Sequence, residues 1–548
     1  MRKNQRRMIA LLVAVAAALL ACAAARVNSS AQTQQTQTGT TATVKQVSAL
    51  TPQERRGKAI YLRGESPTGK DVTAMMGEID VPASTLTCAG CHGLAGEGKT
   101  EGGVTAGALT WQHLTKAYGH THPSGRKHGP FDEASFIRAV TAGIDPQGNT
   151  LLVAMPRYRI APDELADVIA YLKRIETDRD PGLTETTIKV GTVLPGAGAL
   201  AAAGQAMRDV LVAYFDDLNS KGGIYSRKVE LRVAETGTDS AATAANLKRL
   251  LTQEQVFSLV GGITAGADRE AVALMQAEGT PLVGPSTLSP LSGSLQNRYT
   301  FYLLPGFKDQ ARALVNFAAT KPELKKTGVA LVYSDAELNA EAAAAVEEQA
   351  KKAGWSTITK SVYPRAQFDA AKTVASLRQQ GAGAVFLLGT EGTEKAFLQE
   401  AARAGWTPTV LLLGAQAGGG FVESVPLAFK EKVFLAFPTI PTDITPAGVA
   451  EYRALLEKYK ITQRHTASQL SAFAAAKIFV EGLKLAGRDL SREKLVTALE
   501  GLYDYETGLT PRITFGPNRR IGAQGAYIVN VNPETKQFVV ASGWVAAN

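Results

Sequence analysis

The chain has 548 residues, 45% of them hydrophobic and 20% charged, with 52 Gly, 24 Pro and a net charge of +9. That length exceeds what one core of ~250–300 residues fills, so several domains are expected. The composition excludes a disordered or collagen-like chain and a multi-span membrane protein. The charge is not a nucleic-acid signature either, because Arg2, Lys3, Arg6 and Arg7 supply four of those charges from a leader.

The basic stretch 2–7 precedes an unbroken apolar run from Met8 to Ala21. Charge, a short apolar run and small residues at its end make 1–21 a secretory signal. The run is too short to cross a ~30 Å hydrocarbon core comfortably. Leu19-Leu20-Ala21-Cys22 resembles a bacterial lipobox, which implies a lipidated Cys22 as the first mature residue. Ordinary cleavage near Ala23-Ala24-Ala25, discarding Cys22, stays open. Residues 22–50 are rich in Gln, Thr and Ser and bury too little to fold. As a coil they reach about 25–30 Å. The expectation is a protein of the periplasm or cell envelope, tethered to a membrane only through its N-terminal lipid.

The first folded unit is expected over 51–178. Thr51-Pro52-Gln53-Glu54 is a capping box with Pro at the first helical position, and a short helix follows through Gly57, Ile60 and Tyr61. Then comes Cys88-Ala89-Gly90-Cys91-His92, the c-type haem attachment signal. Each thiol adds to one haem vinyl group, and the adjacent His92 becomes the proximal iron ligand. A zinc half-site would need further ligands, and Cys22 is the one other cysteine. A thioredoxin-like pair would need a βαβ context that this stretch lacks. Between the attachment site and the end of the unit stands one methionine, Met155, followed by Pro156. Its thioether is a soft axial ligand that raises the potential. After it, Leu165, Val168, Ile169, Leu172 and Ile175 share one helical face.

These residues resemble a class I cytochrome c over about 125 residues. The resemblance implies an all-α unit in which a first helix crosses a last one, with Gly57, Tyr61 and Tyr171 near the crossing. It implies one covalent haem c with His92 and Met155 axial. The stretch 64–84, with Met75 and Met76, reads as an insertion of packing or surface residues. His113, His120, His122 and His128 fall in a loop rich in Gly, Pro, Lys and Arg. Their spacing fits no standard ligand motif, so a solvated loop is expected rather than a second metal site or a substitute for Met155.

A polar linker, 179–187, leads into the second unit, 188–548. Short β-branched runs alternate with amphipathic stretches from there on. Ile188–Leu194, Val229–Val233, Phe257–Val260, Val329–Tyr333, Ala384–Leu388 and Val410–Leu413 are the expected strands. The intervening stretches 199–220, 240–255, 338–353 and 393–404 are the expected helices. Such alternation makes parallel sheets with helices on both faces, and the length calls for two lobes. Asn219-Ser220-Lys221-Gly222-Gly223-Ile224, Val229-Glu230-Leu231, Val260-Gly261-Gly262 and Pro285-Ser286-Thr287-Leu288-Ser289-Pro290 resemble type I periplasmic binding proteins of the leucine-isoleucine-valine branch. That implies a two-lobed α/β fold, doubly wound and hinged, closing on a small ligand.

The resemblance points to Thr264, Ser286 and Thr287 as carboxylate-binding hydroxyls. A Leu, Leu288, stands where Thr is usual, Leu338 where an aromatic covers the ligand, and Gln416 where an acid pairs with the ammonium. Unpaired buried charges are costly, so a standard amino-acid ligand is disfavoured. Glu391 is the remaining cleft candidate for a cation. Gly196-Ala197-Gly198-Ala199-Leu200-Ala201 fits a dinucleotide turn, but the acid expected ~20 residues on is missing. No catalytic constellation stands out. The expected function is mono-haem electron transfer, with a binding-protein unit that docks a redox partner, a dehydrogenase or terminal acceptor, or binds a small molecule. The alternative is the solute-binding component of an ABC-type uptake system with an accessory haem. No nucleic-acid partner is expected.

Overall fold

The computed structural model describes residues 50–291, 297–355, 357–365, 367–418 and 420–548. The leader, Cys22 and the tether up to residue 49 lie outside the described residues. The chain divides into two compact units, one ending at Thr177 and one running from Asp178 to Asn548.

In chain order the first unit contains α1 (Pro52–Arg63), β1 (Thr73–Met76), β2 (Ile79–Pro82), α2 (Cys88–His92), β3 (Lys99–Glu101), β4 (Val104–Ala106), α3 (Trp111–Leu114), β5 (His120–Thr121), β6 (Lys127–His128), α4 (Glu133–Ala142), β7 (Arg157–Arg159) and α5 (Pro162–Leu172). The Glu54 N–H donates to Thr51 Oγ1, and the Thr51 N–H donates to Glu54 Oε2, closing the capping box. Helices α1 and α5 cross at Gly57, where a Cβ would stand 1.9 Å from the Asp167 carbonyl oxygen and 2.9 Å from Tyr171 Cβ. The Tyr61 and Tyr171 rings pack 5.7 Å apart beside it. Arg56 forks onto Asp167 at 2.7 and 2.9 Å across the same seam.

The helical frame carries short strands that periodicity does not announce. The 64–84 stretch folds as the β1–β2 hairpin, and β1 pairs antiparallel with β7, Ala74 opposite Tyr158. Ala74 is fully buried, Met75 half-buried and Met76 exposed. The hairpin therefore splints the loop that carries Met155.

The second unit opens with β8 (Thr187–Leu194), α6 (Ala201–Ser220), β9 (Lys228–Glu235), α7 (Ser240–Thr252), β10 (Ser258–Val260), α8 (Asp268–Glu278), β11 (Leu282–Val283) and β12 (Thr300–Phe301). Its strands form a parallel sheet in the order β12-β11-β10-β8-β9. The chain then enters lobe two with α9 (Phe307–Ala319), β13 (Gly328–Ser334), α10 (Glu337–Lys352), β14 (Ile358–Tyr363), α11 (Ala370–Gln379), β15 (Ala382–Leu388), α12 (Thr393–Arg403), β16 (Thr409–Leu413) and β17 (Val433–Phe437). It returns to pack α13 (Pro446–Lys458), α14 (Thr466–Ala486) and α15 (Arg492–Glu500) on lobe one, then ends in β18 (Gly525–Asn532) and β19 (Gln537–Ala546). The lobe-two sheet runs β14-β13-β15-β16-β17-β18-β19, antiparallel only at β18 and β19.

Strand β15 shows why its sequence is an unbroken apolar run. Ala384, Phe386 and Leu388 face one buried core and Val385 and Leu387 the other. Side chains alternate along a strand, so burial on both faces demands apolar residues at every position. The 179–187 linker is not a loose string. Asp180 accepts the Arg492 N–H at 2.6 Å, and Leu183 bridges to Ile188.

Candidate functional site

Helix α2 is a single turn, started by Thr87, whose Oγ1 accepts the Gly90 N–H at 3.1 Å. One turn places Cys88, Cys91 and His92 on neighbouring positions of one face. All three line a cavity of about 390 Å³, and Met155 lines it too. Leu114, Phe136, Leu165, Val168 and Leu172 supply apolar walls. The thiols are free, Cys88 half-buried and Cys91 exposed. Desolvation pushes the Cys88 thiol up to about 12. His92 Nδ1 lies 2.6 Å from the Gly107 carbonyl and donates to it, which leaves Nε2 its lone pair. Burial pushes the imidazole below its ordinary pKa, against the opposing pull of that hydrogen bond. Arg157 donates to the Met155 carbonyl, and to the Leu151 carbonyl at 3.0 Å, which pins the loop. Two reduced thiols, a neutral imidazole with a free lone pair and a soft thioether on apolar walls fit a covalently held haem.

The histidine segment departs from expectation. His113, His120, His122 and His128 are not a solvated loop but line the same cavity, with His128 only 5% exposed. The cause is the β5–β6 hairpin, which pairs His120 with His128 and turns their rings together. The His113 and His120 rings stack at 4.1 Å. Among the described residues no group of three or more His, Cys, Asp or Glu is placed to hold a metal ion.

The cleft residues of the second unit form two sets. In lobe one, Thr264 Oγ1 donates to Asp268 Oδ1 at 2.7 Å, and Thr287 hydrogen-bonds the same carboxyl. Burial raises the Asp268 pKa, and these two hydroxyls oppose it. The hydroxyls assigned to a ligand carboxylate thus already hold one of the protein's own. Ser286 instead shares a 2.8 Å hydrogen bond with Ser471 of α14. In lobe two, Gln416 Nε2 donates to Asn339 Oδ1 at 2.7 Å, and Asn339 donates to Ser334 and to the Gly389 carbonyl. Gln416 Oε1 is buried and has no partner among the described residues. Glu391 is exposed beside Gly418, where a Cβ would lie 3.2 Å from its Oε1. Arg269 of α8 pairs with Glu337 and Glu341 of α10 at 2.9 and 2.8 Å, and Ser289 donates to Glu341 at 2.7 Å, linking the lobes.

Asp268, Asn339 and Ser471 escaped the sequence reading. Asp268 carried a signal, four residues beyond Thr264 at the start of a helix; Ser471, inside a helix, carried none. Glu235 lies further along the chain than the acid of a dinucleotide turn should. The 20-residue α6 lengthens its distance from the glycine turn, yet a Cβ on Gly196 would stand 2.5 Å from the Glu235 carboxyl carbon.

Fold and site together define a helical unit whose two thiols, imidazole and thioether line one cavity, followed by a two-lobed α/β unit of largely parallel sheets. The family model described as "Periplasmic binding protein" matches residues 187–537, and the one described as "Cytochrome c" matches 82–176. The chain belongs to the periplasmic binding protein family and carries a cytochrome c domain ahead of its binding fold. That domain implies covalent haem c. Both families are typically non-catalytic. The chain is 26% identical over 352 residues to Leu/Ile/Val-binding protein homolog 8 of Brucella abortus (strain 2308), covering 61% of this chain and 85% of that protein. It is 28% identical over 342 residues to homolog 7 of the same strain, covering 59% and 83%. Among solved structures it resembles a putative branched-chain amino acid ABC transporter from Rhodospirillum rubrum, with TM-score 0.53, 20% identity, and coverage of 65% of this chain and 99% of that one. It also resembles a fatty acid ABC transporter substrate-binding protein from Thermomonospora curvata, with TM-score 0.51, 18% identity, and coverage of 67% and 94%. Among the described residues no helix is long and apolar enough to cross a membrane.

Proposed function

We propose that this protein is an extracytoplasmic mono-haem electron carrier. Its binding unit docks a redox partner, such as a dehydrogenase or terminal acceptor, or takes a small molecule. The observation that carries this reading is the convergence of Cys88, Cys91, His92 and Met155 on one apolar cavity. His92 and Met155 would hold the iron and the two thiols the porphyrin edge; the haem supplies one-electron chemistry. The chain's own contribution is to fix the His92 tautomer through Gly107, to anchor the Met155 loop and to exclude water. A leader at 1–21 and lipidation at Cys22 complete the proposal for its place in the envelope. Purified from a host that matures c-type cytochromes, the reduced protein should show a low-spin c-type spectrum. A high-spin spectrum, or haem extractable by acid and solvent, overturns the reading.

The second reading is solute binding for an uptake system, favoured by a complete two-lobed fold in the second unit. Under either reading a standard amino acid is the wrong ligand. Its carboxylate would meet the Asp268 carboxyl at Thr264 and Thr287, and its ammonium would meet an amide at Gln416. Titration calorimetry with leucine, valine and glutamate should show no binding at millimolar concentration. A dissociation constant in the micromolar range for any of them would refute this assignment.

A further inference from the structure

Hydrogen-bond accounting at the cavity wall leaves one proton to be placed. His128 Nδ1 lies 2.6 Å from the Gly129 carbonyl, which only accepts, so this nitrogen carries hydrogen. Arg126 Nη2 lies 2.9 Å from His122 Nε2; a guanidinium only donates, so His122 Nε2 presents a lone pair. Arg126 is fixed in that pose by its 2.6 Å bond to Asp145. Asp145 in turn accepts from the N–H groups of Gln147 and Asn149 and from the Asn149 amide. His122 Nε2 and His128 Nε2 then face each other at 2.9 Å. Two lone pairs at that distance repel, whereas a proton between them makes an N–H···N hydrogen bond. His128 therefore carries hydrogen on both nitrogens, and His122 is the neutral acceptor. Consistent with this, burial pushes His122 down to about 4, and Arg126, His128 and His120 add to it.

We propose that the His122–His128 pair is a redox-linked proton site, which binds its proton more tightly when the haem is reduced. The inference rests on the electron-transfer reading. Both rings line the cavity that holds Cys88, Cys91 and His92. The His122 ring also borders Gly107, whose carbonyl fixes His92: a Cβ on Gly107 would lie 3.8 Å from His122 Cε1. Reduction by a one-electron donor removes one positive charge from the cavity that both rings line. A cation on the pair is then less repelled. Where the ferric pair has lost that proton, one electron from the donor is matched by one proton from bulk water returning to His128 Nε2, so the charge of the cavity is unchanged. The other ionisable groups around the pair are Arg126 and Lys127 on the hairpin, Asp145 beyond α4, and His113 and Lys116 at α3. His120 of β5, Glu176 beyond α5, and Lys99 and Glu101 of β3 complete the set.

The test is made on the full-length haem-loaded protein. Midpoint potentials are measured spectroelectrochemically from pH 5 to 9, and the His122 and His128 ring protons are followed by NMR in both redox states. The protonated pair favours the reduced form. The potential should therefore fall as pH rises between the pair's ferric and ferrous pKa values, and be flat on either side. Each pH unit in that window is a factor of up to ten, or about 59 mV for one electron. His128→Gln should flatten the profile and His113→Gln should leave it sloped. A flat wild-type profile, or a slope that survives in His128→Gln, overturns the proposal. Identical ring titrations in the ferric and ferrous wild type overturn it without any variant. Absence of a reversible haem wave would instead sink the electron-transfer reading.

Discussion

Met155→Ala should abolish the weak near-infrared sulfur-to-iron band of the oxidised protein and lower its midpoint potential. Among the described residues, Met155 is the one methionine lining the cavity that Cys88, Cys91 and His92 define. If Met155 is the proposed axial ligand, its loss removes a thioether that would favour reduced iron. A drop of about 0.1 V or more is expected, a small part of the ~0.8 V that axial ligands span. Covalent attachment through Cys88 and Cys91 should be unaffected. Should the band survive the substitution, Met155 is not the ligand, and His113, His120, His122 and His128 become the residues to replace next.

Gly57→Ala should destabilise the haem unit by about 3 kcal/mol or more, the upper end for an overpacked core. The added Cβ would stand 1.9 Å from a backbone carbonyl oxygen, so no rotamer change relieves it. Either α1 separates from α5, opening the Tyr61–Tyr171 contact and the Arg56–Asp167 pair, or the unit does not fold. In a thermal melt followed at the haem absorption, the midpoint should fall by about 10 °C or more. The binding unit, which has its own cores, should melt unchanged when followed by its own signal. A shift below a few degrees would show that the two helices do not meet at Gly57.

Residues whose chemistry is local were the ones legible in the sequence. The attachment motif declares itself because two thiols and a histidine must share one helical turn. Several strands of the second unit declare themselves because burial on both faces leaves few polar positions, so β8, β13, β15 and β16 match their apolar-rich runs within two positions. What stayed hidden depends on residues distant in sequence. His128 reads as one polar residue in a polar loop, and only its pairing opposite His120 turns it inward. Asp268 reads as an ordinary acid at a helix start until Thr264 and Thr287 converge on it. The 64–84 stretch reads as an insertion because its partner, β7, lies some 80 residues on.

That pairing would set a clock on the position proposed for the Met155 sulfur. Between Leu151 and Arg157 the chain is a turn, and a turn by itself would let a side chain swing away on the timescale of loop motion. Here the segment leaves the turn directly into β7, which is paired with β1 in register from Arg157 to Arg159. A large movement of Met155 would therefore pull on a piece of sheet whose central member, Ala74, is fully buried. The rate at which an outside molecule such as cyanide displaces the sulfur should then track the amide exchange of Tyr158 rather than the strength of the bond it replaces. Inertness toward small poisons would in this protein be a property of a hairpin far upstream of the displaced residue.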